Sequence, residues 1–148
     1  MDAKENREAH VAKLLQEALE ARLHGAEWAS ERGLGWLAQA YNGIGPEFLP
    51  EALREKISST LSIFEPAALI HDARNHVSDA TKDGFLAAND EFRSNCLILA
   101  DRAYGMFNPR RYRARAVAEI LYLFVSADRF GWRAWLEAHE RAANQPTN

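Results

Sequence analysis

Apolar residues recur at three- and four-residue steps along most of the chain, and no segment alternates apolar and polar residues as a strand would. In the N-terminal segment the apolar positions are Val11, Leu14, Leu15, Ala18, Leu19, Leu23 and Ala26. This spacing predicts an N-terminal amphipathic helix over residues 1–32, followed by a helical core over residues 33–148. Residues 11–26 have two interpretations: they cover the domain's own core, or they contact a second copy or a partner helix.

Two stripes in the middle of the chain predict a helical hairpin. Pro66 suits the first turn of a helix, because proline has no amide hydrogen to lose there, and the helix that follows carries His71 and Asp72. A polar, turn-like stretch at residues 78–82 separates it from a second helix that contains Asp90. The pattern therefore predicts an all-α helical bundle around a central antiparallel helix pair.

Local signals also place the helices that follow the hairpin. Asn108 is suited to cap a helix whose first residue is Pro109, and an apolar face continues to about Val125. Gly131 ends that pattern, and a last amphipathic helix begins near Trp132.

Composition narrows the class of protein. The chain has 148 residues, with 47% hydrophobic and 26% charged residues, which is typical of one globular domain. The net charge of −3 gives no overall indication of nucleic-acid binding, and no apolar run approaches the roughly 18 residues of a transmembrane helix. The charged N-terminal residues do not resemble a signal peptide. With the single Cys96, this predicts a cytoplasmic location, and export by another route stays open.

His71 and Asp90 are candidates for an acid–base pair. If the hairpin is antiparallel, the two side chains lie level with each other, and Leu86, Asp90, Arg93 and Leu97 share one stripe of the second helix. A carboxylate bound to one imidazole nitrogen fixes the tautomer and leaves the other nitrogen as a general base. The alternative is a core histidine and a carboxylate that pairs with Arg93.

A glycine loop before the hairpin is a candidate metal site. In Tyr41-Asn42-Gly43-Ile44-Gly45, two glycines allow backbone conformations that turn carbonyl oxygens toward a common centre. Calcium takes six to eight oxygen ligands, so such a loop together with Asp72 would suit it.

The order of these features resembles the phospholipase A2 superfamily, in its prokaryotic, disulfide-poor branch. The shared pattern is Tyr41-x-Gly43-x-Gly45, then His71-Asp72, then an aspartate on the next helix, here Asp90. The resemblance implies a phospholipase A2-like helical core and a calcium-dependent phospholipid ester hydrolase.

The roles of single residues also follow from the resemblance. It implies that His71 activates water, that Asp90 orients the imidazole, and that calcium is bound by Asp72 with the carbonyls of Tyr41, Gly43 and Gly45. The segment 64–92 is also similar to small phage- or prophage-encoded proteins of this kind. The alternative function is therefore a catalytically inactive, phage-type structural or interaction domain.

A basic segment adds one candidate surface. Arginines are concentrated in Arg110-Arg111-Tyr112-Arg113-Ala114-Arg115, at the start of a predicted helix whose N-terminal end is already positive. One interpretation is a contact with the phosphates of an anionic lipid surface or another polyanion. The other is that these arginines pair with carboxylates such as Asp101 and Glu119.

Overall fold

The computed structural model of the protein describes residues 2–44, 51–52 and 60–146. The described helices are α1 (Ala3–Glu20), α2 (Ala26–Ser30), α3 (Leu34–Ala40), α4 (Glu65–His76), α5 (Lys82–Ala103), α6 (Pro109–Ser126) and α7 (Arg133–Ala143). A 3-10 turn at Ser62–Phe64 precedes α4, and a π-helical turn at Asp128–Trp132 joins α6 to α7. No strand occurs in these ranges, which confirms the prediction of an all-α fold.

The N-terminal segment differs from the single helix predicted over residues 1–32. The Asp2 side chain caps α1, which ends at Glu20, and the backbone then enters the left-handed region at Arg22 (φ 53°) and Gly25 (φ 81°). Two left-handed residues so close together cannot continue a helix, because left-handed dihedrals break the helical hydrogen-bond pattern. The chain turns there, and α2 begins as a separate short helix.

The apolar stripe of α1 packs inside the domain. Val11, Leu14 and Ala18 are buried in the same cluster as residues of α4, α5 and α6, and α1 contacts both α3 and α4. Leu19 is 39% exposed, so it lies at the edge of this contact. The buried part of the stripe covers the domain's own core, as one of the two interpretations predicted.

Helices α4 and α5 form a hairpin joined by residues 77–81. Pro66 lies in the first turn of α4, and the hydroxyl of Thr81 caps α5 by accepting a hydrogen bond from the amide of Gly84 at 3.0 Å. The cap is Thr81 rather than a residue within the helix, because only a residue with extended backbone can turn its side chain onto the first amides.

Helix α6 returns along α5 after a turn at residues 104–108. The side chain of Asn108 accepts a hydrogen bond from the amide of Arg110 at 3.0 Å, and Pro109 is the first helical residue, as predicted. Ala114, Val117, Ala118 and Leu121 are the buried face of α6 and belong to the main core. Among the described helices none has the length and apolarity to cross a bilayer.

Helix α7 covers the end of the hairpin where α4 meets α5. The Ser78 hydroxyl donates to the carbonyl of Trp135 at 2.7 Å, and Trp135 packs with Phe85 and Ala88 in a second, smaller cluster. Trp132 of the π-helical turn packs against Phe85 with ring centroids 5.3 Å apart, so the turn lies against the N-terminal half of α5, beside a cavity.

Candidate functional site

A mainly apolar cavity of about 90 Å³ lies between α4, α5, α6 and the π-helical turn. Its polar lining comes from His71, Asp72, Asn75 and Asn89. The remaining lining residues are Gly43, Ile44, Ala68, Phe85, Phe92, Leu121, Phe124, Val125, Phe130, Gly131 and Ala134. Titratable groups that converge on an apolar pocket are the usual arrangement of a small-molecule site.

His71 is held by Asn89 through a defined hydrogen-bond chain. His71 Nε2 lies 2.9 Å from Asn89 Oδ1, and Asn89 Nδ2 donates to the carbonyl of Val125 at 3.3 Å. Because that carbonyl requires a donor, the Asn89 amide presents its oxygen to the imidazole, and Nε2 must carry the hydrogen. His71 Nδ1 is therefore the nitrogen with a lone pair.

Burial keeps this imidazole neutral. His71 is 8% exposed and its ring lies 4.8 Å from the ring of Phe92. Loss of hydration lowers the pKa of His71 below its ordinary value of 6.5, and the hydrogen bond to Asn89 offsets only part of that effect. At neutral pH Nδ1 can accept a proton, and the only partner near it among the described polar groups is the Asn75 amide at 3.5 Å.

The structure corrects the predicted partner of His71. Asp90 is exposed and accepts a hydrogen bond from the hydroxyl of Tyr122 at 3.1 Å, while Asn89 contacts the imidazole. Consecutive helical residues point about 100° apart, so only one of the two can face α4. Arg93 does not pair with Asp90 either, because its guanidinium binds Glu119 at 2.8 Å.

The burial of α5 explains why Asn89 was missed. The buried residues of this helix are Phe85, Ala88, Asn89, Phe92, Asn95, Cys96, Leu99 and Ala100, whereas Leu86 is 47% exposed. The buried stripe of α5 therefore contains Phe85 and Asn89, each one position before Leu86 and Asp90 of the predicted stripe. The signal was present in the sequence, since Asn89 is four residues after Phe85 and three before Phe92.

Asp72 is bound by backbone amides of the glycine loop. Its Oδ2 accepts hydrogen bonds from the amides of Asn42 at 2.7 Å and Gly43 at 2.9 Å. Gly43 adopts φ 77°, a conformation that favours glycine and that directs successive amides to one point. Burial raises the pKa of Asp72 to about 7, although the two amide bonds act in the opposite direction.

Two of the calcium ligands that the resemblance implies, the Asp72 carboxylate and the Tyr41 carbonyl, are bound to other groups of the protein. Two loop amides donate to Asp72, and the carbonyl of Tyr41 accepts a hydrogen bond from the Arg7 guanidinium. A guanidinium on that carbonyl repels a cation at the same oxygen. Gly45 lies outside the described residues. In the part of the chain that the structure describes, no group of three or more His, Cys, Asp or Glu side chains is placed to hold a metal.

Comparisons with protein-family models, with curated proteins and with solved structures found no match for this chain.

Proposed function

We propose that this chain is a carboxylic ester hydrolase that binds an apolar acyl group in the pocket and uses His71 to activate water. One observation carries the proposal. The chain from the Val125 carbonyl through Asn89 to His71 Nε2 leaves Nδ1 unprotonated on a ring that lines the cavity. A neutral imidazole with a fixed tautomer is the usual general base for a water attack on a carbonyl.

His71 both accepts and returns the proton that ester hydrolysis moves. His71 Nδ1 takes a proton from water as the oxygen of that water forms a bond to the ester carbonyl carbon. The tetrahedral intermediate then breaks its bond to the leaving alkoxide, which receives the proton from Nδ1. The products are a carboxylic acid and an alcohol, and the imidazole returns to its neutral form.

Asp72 supplies the complementary acid. Its carboxyl group lines the same cavity, and with a pKa of about 7 a large fraction is protonated near neutral pH. A protonated carboxyl can donate a hydrogen bond to the oxyanion that forms on the substrate. Two neighbouring groups whose pKa values are shifted in opposite directions, down for His71 and up for Asp72, suit this division of roles.

The substrate class follows from the lining of the pocket. Phenylalanine, leucine, valine and isoleucine side chains surround a space of about 90 Å³, which suits a short acyl or aryl group. A phospholipid ester, as the resemblance implies, is a substrate of the same chemistry. Calcium enters this proposal only as a condition to test, because the Tyr41 carbonyl is bound by Arg7 and the Asp72 carboxylate is bound by two loop amides.

A second candidate is a structural or interaction domain without catalysis. It is favoured by the amide of Asn89 in the position where a carboxylate would stabilise a protonated imidazole. In this alternative the chain Val125–Asn89–His71 serves only to join α6, α5 and α4.

The test compares the wild-type protein with His71→Gln and Asp90→Asn on p-nitrophenyl esters of increasing acyl length and on phospholipid vesicles. Glutamine can still donate a hydrogen bond to Asn89 but cannot act as a base, so the fold is kept. We expect kcat/KM to fall about 10²–10⁴-fold in His71→Gln, which is the usual contribution of a general base. Asp90→Asn is the matched control and should keep full activity, because Asp90 is exposed and bound to Tyr122.

Two conditions sharpen the assay. Activity should rise with pH as His71 loses its proton, below pH 6.5, and fall again around pH 7 as Asp72 loses its proton. Activity should also be equal in chelator and in millimolar calcium. A requirement for calcium would restore the metal-dependent reaction that the resemblance implies. A wild-type protein with no turnover above buffer, or equal rates in wild type and His71→Gln, would overturn the hydrolase proposal in favour of the structural one.

A further inference from the structure

An exposed apolar group lies at the turn between α5 and α6. Phe107 is 94% exposed, Met106 is 67% exposed, and Tyr112 on the first turn of α6 is 66% exposed. A single exposed apolar side chain is ordinary on a protein surface. Here three large side chains lie within seven positions at one turn and together form an exposed apolar group. Helices α5 and α6 form a second hairpin, and we call residues 102–113, which include its turn, the hairpin tip.

The hairpin tip is also strongly basic. It contains Arg102, Arg110, Arg111 and Arg113 and no Asp or Glu. Arg102, Arg110 and Arg113 are exposed. Asp101, which precedes the tip, is bound by Arg111 and by Arg115, each at 2.8 Å. Because one carboxylate is shared by two arginines, the hairpin tip and its neighbours keep a net positive charge.

The tip is remote from the pocket. Asn89 and Ala103 are both on α5, and at 1.5 Å per residue they lie about 21 Å apart along the helix axis. Side chains of the tip therefore take no part in the proposed chemical step, and with soluble esters the two proposals can be tested separately.

We propose that the hairpin tip is a docking site for an anionic lipid surface, with Phe107 and Met106 inserted among the acyl chains and the arginines on the headgroup phosphates. Three features favour this occupant. The tip is a chain reversal whose apolar side chains extend into solvent, which suits insertion into a soft surface. Its most exposed side chain is a phenylalanine, whose burial in hydrocarbon is favourable. Its charge complements anionic lipid, and arginine binds phosphate oxygens in two-point contacts.

The experiment measures sedimentation of the full chain with vesicles of phosphatidylcholine alone and of phosphatidylcholine mixed with phosphatidylglycerol. We expect binding to the mixed vesicles only, and weaker binding as the salt concentration rises. The double variant Met106→Ser, Phe107→Ser should lose affinity roughly tenfold or more, because it removes the inserted apolar surface. Arg110→Glu should lose about tenfold or more, because it replaces an attraction with a repulsion.

Matched controls separate the tip from the rest of the surface. Leu123→Ser removes an apolar side chain of the same 67% exposure as Met106 from the other end of α6, and Arg141→Glu reverses an exposed charge on α7. Both should bind vesicles as the wild type does. A label on Phe107→Cys should report a less polar environment on binding, and Cys96, which is fully buried, should not react.

The outcomes are distinct. No binding to anionic vesicles, or equal loss in the tip variants and in both controls, would overturn the proposal. Binding to single-stranded RNA with no binding to vesicles would also overturn it and assign the tip to a nucleic acid. Hydrolysis of the soluble p-nitrophenyl esters should be unchanged in every tip variant, so failure of this proposal can be told from failure of the proposed function.

Discussion

The two ends of the α5–α6 hairpin are opposites in their chemistry. At one end, His71 and Asn89 are buried, Asp72 is half-buried, and each has a defined hydrogen-bond partner. At the other end, the apolar groups of Met106 and Phe107 are in solvent. Folding alone favours neither arrangement, because it favours apolar side chains inside the protein and polar side chains in solvent.

The two ends are suited to different functions. A buried polar group costs free energy unless it is paired, and an exposed large apolar group gains nothing from folding. The pocket end is therefore suited to chemistry on a small ligand, and the tip is suited to contact with a surface. Substitutions of the same residue type at the two ends should have unequal effects.

The largest difference in stability is expected between alanine substitutions at two glycines. A Cβ built on Gly131 would lie 1.6 Å from the carbonyl oxygen of Val125, whereas a Cβ on Gly105 at the tip has no atom within 4 Å. Gly131→Ala should destabilise the protein by about 3 kcal/mol or more, because the backbone must move, and Gly105→Ala should change stability by less than about 0.5 kcal/mol. Urea unfolding of both variants measures this. Equal stabilities would mean that the π-helical turn adapts and does not fix the pocket.

Substitutions of two asparagines should give the next largest difference in stability. Asn89→Leu leaves the Val125 carbonyl and the His71 Nε2 hydrogen unpaired in the core, so we expect a loss of about 2–3 kcal/mol. Asn108→Ala removes only the cap of α6 and should cost about 1 kcal/mol.

A second measurement on the same pair identifies the cause. The hydrogen bond to Asn89 raises the pKa of His71, so Asn89→Leu should lower that pKa further, and Asn108→Ala should leave it unchanged. Titration of the imidazole by NMR follows both. If His71 titrates alike in the two variants, Asn89 does not hold the imidazole.

The smallest effect concerns Asp72 and depends on pH. Its folded-state pKa of about 7 lies above the ordinary value of 3.8, so its contribution to stability is fully present below pH 3.8 and is lost as the pH rises through 7. Asp72→Asn, which can still accept from the loop amides, should therefore stabilise the protein at pH 8 by about 1–2 kcal/mol, a value reduced because the side chain keeps some contact with solvent.

The control for this prediction is the same pair at acidic pH. Well below pH 3.8 the carboxyl group is neutral in both folded and unfolded chains, so wild type and Asp72→Asn should then be nearly equal in stability. A variant less stable than the wild type at pH 8 would show that the carboxylate is compensated by a positive group.

Much of the fold could be predicted from local sequence signals. Pro66 near the start of α4, Asn108 before Pro109 and the three- and four-residue apolar spacing gave the helices and the hairpin, because capping and amphipathic burial act over a few residues. The break after Glu20 was missed. Arg22 carries no sequence signal for a left-handed backbone, and the turn is fixed by contacts such as the Asn95 amide, which binds the backbone of His24 at both its amide and its carbonyl.

The site was predicted in part. His71 and Asp72 do line one cavity with Gly43, and this follows from their place on α4 beside the glycine loop. The choice between Asn89 and Asp90 needed the rotation of α5 about its axis, which is set by packing of Phe85, Phe92 and Cys96 against the other helices.

The sequence by itself determined most of the helical segments, though not the break after Glu20, because capping and apolar spacing depend on neighbours along the chain. Only the tertiary structure decided that an amide and not a carboxylate meets His71, that loop amides bind Asp72, and that Phe107 stays in solvent. The reason is that a shift of one residue turns a helical side chain by about 100°, and nothing local fixes that angle until the helices pack.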